Sequence, residues 1–309
     1  MKKGFDLYYA GSQNKMCEQY LKDIGSHRLA SQLNDRKIIS DWMEGVEAGE
    51  ITGKLFIDSG AYSAHTRGVE LDVDEYIEYL NINDEWIDIY AQVDKIPGVL
   101  GQPKTRKQLL EAPKLSWENY NYMRPKMKSP DKLLPIFHQG EEFHWLHQML
   151  ETTFDGKHIP YIGISPANDQ PIKKKEVFIE KCFNIIKQSS NPDVKTHAFG
   201  MTTLNVLERY PFTSADSTSW IMCGANGSIM SKYGTISVSD GSDHTNKHIS
   251  NMPEQAQKEV KRYVKEHGFT MEELAADYKQ RIKFNIVYLN EWAENYEYKP
   301  SKVLRKALF

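Results

Sequence analysis

Three aspartates in this chain each stand at the end of a short strand-like run: Asp58 after Leu55–Ile57, Asp94 after Ile87–Val93, and Asp216 closing Thr213–Asp216. A lone aspartate in that position commonly caps a turn or helix. Three of them converging from different strands would repel unless they share protons, bind a cation or meet a substrate. Two carboxyl groups across a glycosidic or N-glycosidic bond can divide the work of breaking it. One attacks the anomeric carbon as it gains oxocarbenium character, and the other carries a proton. Asp216 is the candidate nucleophile and Asp58 the candidate acid–base. Asp94, as a carboxylate, can only accept hydrogen bonds.

The other strand ends add polar and small residues. Ser59-Gly60-Ala61-Tyr62 follows Asp58, His138-Gln139-Gly140-Glu141 follows Leu133–Phe137, Gly163-Ile164-Ser165 closes Tyr161–Ile164, and Phe199-Gly200 closes Thr196–Phe199. Gln139 offers an amide donor, Gly163 and Ile164 offer backbone at close approach, and Tyr62 and Phe199 offer aromatic rings. His197 reads as a hydrogen-bonded core histidine. Glu141, His144 and His147 at helical spacing, and the loose set Asp243, His244 and His248, read as solvated polar surface. No metal site is assigned, and the chemistry needs no redox cofactor.

Something must bring these ends together. Eight strand-like runs (Phe5–Tyr9, Arg28–Leu33 and the six above) alternate with amphipathic stretches at Met16–Ile24, Arg36–Ala48, Val73–Leu80, Pro103–Met123, Glu141–Leu150, Lys174–Lys187 and Thr203–Tyr210. That alternation over about 220 residues fits an α/β fold of the (β/α)8 TIM-barrel type, in which chemistry gathers at the C-terminal strand ends. Asp72-x-x-Glu75 and Thr270-x-x-Glu273 read as capping boxes. Two further helices, Pro253–His267 and Met271–Trp292, lie within a C-terminal helical region of about 253–296. With no linker or repeat in its 309 residues, the chain reads as a single domain, 1–309.

Lys plus Arg (39) nearly balances Asp plus Glu (42), for a net charge of −3, which disfavours nucleic-acid binding by bulk charge alone. The distribution is uneven. Residues 69–88 hold eight acids and no base, while an insertion at about 101–132 holds eight basic against three acidic residues. Lys104, Arg106 and Lys107 in that insertion, and Lys173, Lys174 and Lys175 after the sixth strand, are candidate phosphate contacts. The tail adds Lys299, Lys302, Arg305 and Lys306. Trp117, Tyr120 and Tyr122 interleave with the basic residues, as stacking platforms or as core. Three scattered cysteines, Cys17, Cys182 and Cys223, exclude a Cys-rich zinc site and argue against a disulfide framework. The N-terminus carries no apolar signal core and no apolar run is long enough to span a membrane, so a cytoplasmic location is expected.

The ordered set of motifs resembles the tRNA-guanine transglycosylase superfamily, and within it the 7-deazaguanine DNA transglycosylases (the DpdA family) of phages and bacterial modification clusters. Asp58-Ser59-Gly60-Ala61-Tyr62 is similar to the family's Asp-Ser-Gly-Gly-Tyr/Phe loop, and Asp94 stands at the Asp of its Asp-Glu-Cys motif. His138-Gln139-Gly140 resembles Val-Gln-Gly-Gly, and Tyr161-Ile162-Gly163-Ile164-Ser165 resembles Gly-Gly-Leu-Ala-Val-Gly. Ala198-Phe199-Gly200-Met201 resembles Met-Gly-Val-Gly, and Asp216 stands at the nucleophile of Phe-Asp-Cys. The resemblance implies exchange of guanine in DNA, flipped or single-stranded, for a 7-deazaguanine base (preQ0-like) through a covalent Asp-glycosyl intermediate, in the host cytoplasm if the protein is phage-encoded. Two features depart from the tRNA enzymes. Cys223 is the only cysteine after Asp216, so their zinc subdomain cannot be built, and Gly224-Ala225-Asn226-Gly227 replaces their basic Pro-Thr-Arg-Asn-Ala-Arg segment. The alternatives are the same reaction on tRNA, a barrel hydrolase of a small glycoside or nucleoside using the same Asp pair, and a catalytically dead nucleic-acid-binding barrel.

Overall fold

A computed structural model describes residues 4–11, 15–35, 37–98, 102–201, 203–242 and 246–300. Asp243 and His244 of the loose polar set, and Lys302, Arg305 and Lys306 of the tail, lie outside them. The fold is an α/β (β/α)8 barrel. Its strands are β1 Asp6–Tyr9, β2 His27–Ser31, β3 Leu55–Asp58, β4 Ile89–Ala91, β5 in two pieces (Leu133–Leu134 and Ile136–His138), β6 Tyr161–Ser165, β7 Lys195–Ala198 and β8 Ser214–Ser217. Pro135 divides β5 because it has no N–H for the ladder. Its carbonyl still accepts from Gly163 N–H at 2.7 Å.

The chain forms two compact units. The larger contains Arg28–Glu44 and Lys54–Asp216, and the smaller contains Met1–His27, Gly45–Gly53 and Ser217–Tyr296. In the larger unit β2 to β8 pair in parallel, each with the next in sequence. Its strands are buried nearly end to end, as a sheet covered on both faces requires. The register opposes Ser31 to Asp58, His138 to Ser165, and Ala198 to both Ile164 and Ala215. The C-terminal strand ends therefore come to one level. The basic insertion is the barrel's own helix after β4, Arg106–Met123, opened by a Thr105/Gln108 capping box and continuous through the buried Pro113. The expected amphipathic stretch Pro103–Met123 is thus a helix from Arg106 onward.

Other expected helices shift by a residue or a few. Thr203–Tyr210 shrinks to the single turn Leu204–Leu207. The last helix breaks at Asp277 into Met271–Ala276 and Tyr278–Glu294, where Asp277 caps the second piece through Lys279 N–H. Thr270/Glu273 forms both bonds of its box, and Asp72 accepts from Asp74 and Glu75 N–H. The sequence missed the helix Ala61–Arg67 and two hairpins. One of these turns at Asp155-Gly156, both with positive φ, the geometry that a two-residue hairpin loop demands. No helix among the described residues is long and apolar enough to cross a membrane.

The smaller unit packs Ile229, Ile236, Val238, Ile249, Val260, Val264, Leu274 and Phe284 into a core. At its centre Asn285, fully buried, accepts from Met230 N–H at 2.7 Å and donates to Trp220 C=O at 3.1 Å. Removing that amide strands two buried backbone groups, at roughly 1–3 kcal/mol each. Asn285→Ala should therefore lower the urea midpoint by the equivalent of about 2–4 kcal/mol. An unchanged midpoint would show that water replaces the amide.

Candidate active site

A cavity of about 300 Å³ opens at the strand ends of the larger unit, lined by Leu29, Asp58, Ser59, Tyr62, Asp94, Ile96, Ile136, His138, Ser165, Pro166, Asn168, Phe199, Gly200 and Asp216 among others. Its volume is at the small end for ligand pockets, which run from roughly 300 to 1,000 Å³. All three aspartates line it, and each is compensated differently.

Asp58 ends β3. Its Oδ2 accepts from Gly60 N–H at 2.9 Å. Gly60 takes φ 77° to start the helix Ala61–Arg67, and a Cβ there would meet Ser31 Oγ at 2.5 Å and Leu33 Cβ at 2.8 Å, so this turn needs glycine. Burial raises the Asp58 pKa to about 6, with the charges of Asp94 and Asp216 adding to it and the Gly60 hydrogen bond opposing. Asp58 is thus the carboxyl that holds a proton toward neutral pH.

Asp94 lies three residues past β4. Gln92 Nε2 donates to its Oδ1 at 2.6 Å, and His138 Nε2 stands 3.2 Å from its Oδ2. The other ring nitrogen of His138 lies 3.2 Å from Glu141 Oε1, and Glu141 also accepts from His138 N–H. Burial works to lower the His138 pKa, but Asp94 and Glu141 together hold it well above the usual imidazole range. Asp94–His138–Glu141 is therefore a carboxylate–imidazolium–carboxylate row. Spacing alone gave no sign of it beyond the i, i+3 step from His138 to Glu141. Glu141 precedes the helix His144–Glu151 rather than joining a face of it, and His144 pairs with Glu142 at 3.3 Å. Among the described residues no group of three or more His, Cys, Asp or Glu side chains is arranged to hold a metal ion.

Asp216, on β8, is 8% exposed. Its Oδ1 accepts from Gly200 N–H at 2.9 Å and lies 3.1 Å from His197 Nε2. His197 is fully buried, as the sequence suggests for a barrel-strand histidine, yet it touches the candidate nucleophile. Phe199 lies above it, ring centroids 4.5 Å apart. Gly163 makes room for that ring, since a Cβ there would come within 2.5 Å of Phe199 Cε2. Tyr62 stands at the rim, 70% exposed.

Not every expected residue reaches the cavity. Gln139 turns away: its Oε1 accepts from Ala167 N–H at 3.0 Å and its Nε2 donates to Lys174 C=O at 3.3 Å, tying two loops together. Gly163 N–H and Ile164 C=O are spent in the sheet. Ser59 and Ser165 do line the cavity. Trp117 and Tyr120 are core, stacked at 5.2 Å, and Tyr122 donates to Asp74 with Lys126 over its ring. The basic insertion is also partly spent within the fold. Lys126 pairs with Asp74, Lys132 with Asp84, and buried Arg124 with Asp131. Lys104 and Arg106 are exposed, Lys107 pairs with Glu111, and Lys173 and Lys174 are exposed at the start of the helix Ile172–Gln188, with Lys175 half-buried.

No family model matches this chain, and no curated protein matches it. Among solved structures, a phospho-2-dehydro-3-deoxyheptonate aldolase (DAHP synthase) from Thermotoga maritima matches with 10% identity and a TM-score of 0.26, over 66% of this chain and 43% of that one. The chain thus spans less than half the length of that protein.

The Asp58 pKa sets a pH dependence of stability. The unfolded carboxyl ionises near 3.8 and the folded one near 6. Wild type therefore loses stability as pH rises from about 4 to about 6, and the loss is complete above that window. Asp58→Asn removes this component. The melting temperature of the variant relative to wild type should climb across that window, and a flat difference would place the Asp58 carboxyl in water.

Proposed function

We propose that this protein is a DNA-guanine transglycosylase that replaces guanine in DNA with a 7-deazaguanine base. One observation carries the reading: two carboxyl groups line one small cavity with opposite compensation, Asp58 protonated toward neutrality and Asp216 held by donors on a single oxygen. That division of labour is the one N-glycosidic exchange needs. Asp216 Oδ2 attacks C1′ as the C1′–N9 bond breaks. The electron pair leaves with guanine, which takes the Asp58 proton. The incoming base then attacks C1′ through N9, the C1′–Oδ2 bond breaks, its electron pair returns to Asp216, and the N9 proton passes to Asp58. The ring of Phe199 and the rim position of Tyr62 suit a flat base, and the Asp94 carboxyl suits its amino and N1–H groups. A cavity of this size at the strand ends takes a base out of its stack, as flipping or a single strand provides.

DNA is favoured over tRNA by the two sequence departures after Asp216. That region holds the helix Ser219–Ala225 and the hairpin Ser228–Ser231/Gly234–Ser237, with Cys223 its one cysteine. Exposed Lys104, Arg106, Lys173 and Lys174 are the candidate phosphate contacts.

The test is nucleoside mass spectrometry on DNA and on tRNA after incubation with candidate 7-deazaguanines. Modified deoxyguanosine is expected. Modification of tRNA alone, or release of free base from a nucleoside without exchange, would replace the reading with the corresponding alternative. Asp216→Asn should lower exchange by at least about 10³-fold with an unchanged melting profile. Near-normal activity in that variant would remove the nucleophile assignment.

A further inference from the structure

We propose that His197 is a positioning residue for Asp216: its imidazole, seated against a buried hydroxyl pair, donates from Nε2 to Oδ1 and so presents Oδ2 to the cavity. The role in turnover rests on the base-exchange reading above.

The placement follows from strand periodicity. His197 on β7 is in register with Ser214 on β8 and with Gly163 on β6. Side chains two apart on a strand share a face. Asp216 therefore lies one step above Ser214, Phe199 one step above His197, and Tyr161 one step below Gly163, all on the face that carries His197. The contacts agree. Tyr161 Oη lies 2.5 Å from Ser214 Oγ, Ser214 Oγ 2.5 Å from His197 Nδ1, and His197 Nε2 3.1 Å from Asp216 Oδ1. Phe56 packs edge-on against the imidazole at 4.8 Å.

Donor–acceptor logic then assigns the protons. Asp216 Oδ1 already accepts from Gly200 N–H, so His197 Nε2 is the donor on the same oxygen. Ser214 Oγ faces Nδ1 and Tyr161 Oη faces Ser214 Oγ, so the hydroxyl pair fixes the far side of the ring. The set resembles a Ser-His-Asp triad in composition but runs the other way. Ser214 is fully buried and has no access to a substrate, while Asp216 is the member that lines the cavity. His197 Nε2–H and Gly200 N–H form a pair of donors on one oxygen. When the second base displaces the enzyme from C1′, the electron pair of the breaking C1′–Oδ2 bond spreads onto Oδ1, where both donors already point. The arrangement acts as an oxyanion hole for the leaving carboxylate.

Loss of the donor should slow release from the covalent intermediate more than substrate binding. His197→Leu should lower kcat for incorporation of labelled guanine into DNA by about 10²-fold, the usual effect of one such donor, with KM within about threefold and with more trapped protein–DNA adduct than wild type. His197→Gln places an amide N–H near the Nε2 position and should stay within about tenfold of wild type. A His197→Leu variant that folds and keeps kcat, or a His197→Gln variant that falls as far as His197→Leu, overturns the proposal. A second readout needs no substrate. ¹⁵N NMR of the imidazole should show Nε2 carrying a proton, and an Nδ1–H tautomer with bare Nε2 overturns the assignment. If wild-type protein exchanges no base at all, the functional reading fails, and the NMR result alone decides whether His197 holds Asp216.

Discussion

Like charges that share a desolvated mouth must each be compensated, or they protonate. Three aspartates meet at the strand ends of this barrel, and the surrounding structure is arranged around keeping them distinct. Asp58 answers by holding a proton to about pH 6. Asp94 answers with an imidazolium, His138, itself braced by Glu141. Asp216 answers with two donors on one oxygen. Three acids of the same type thus acquire three different sets of partners, and acid–base and nucleophilic roles need that difference.

The fold supplies this through register. Parallel strands in sequential order bring their ends to one level, and period-2 alternation fixes which side chains enter. His197, Ser214 and Asp216 occupy one interior stack because they sit at matching steps on β7 and β8, with Phe199 just past the end of β7. A one-residue slip would turn all of them away from the cavity. Gly163 contributes by lacking a side chain, since Phe199 fills that space.

Much of this was legible in the sequence. Each of the eight strands lies at or within a few residues of its apolar run, because buried parallel strands are short, apolar and separated by long amphipathic stretches. The aspartates at their ends follow from the strand positions. The Asp94–His138–Glu141 row was not legible, since two of its members come from different strands and nothing in their spacing links them. The helix Ala61–Arg67 was hidden by its length and by a glycine N-cap. Gln139 is a case in which an amide at a strand end ties loops together. Charge runs were the least readable feature. Residues 69–88 and the basic insertion look like opposed surface patches, yet Asp74–Lys126 and Asp84–Lys132 neutralise part of each. The phosphate-contact candidates reduce to the lysines and arginine near the starts of two helices.

The central claim is that Asp216 becomes covalently bonded to C1′ while Asp58 carries the proton. The most direct measurement is peptide-level mass spectrometry of protein quenched during turnover on a guanine-containing oligodeoxynucleotide. The account predicts a single sugar adduct on the peptide that bears Asp216, accumulating when no second base is supplied and discharging when a 7-deazaguanine is added. Base exchange that proceeds with no adduct, or an adduct mapped to Asp58 or Asp94, would contradict it.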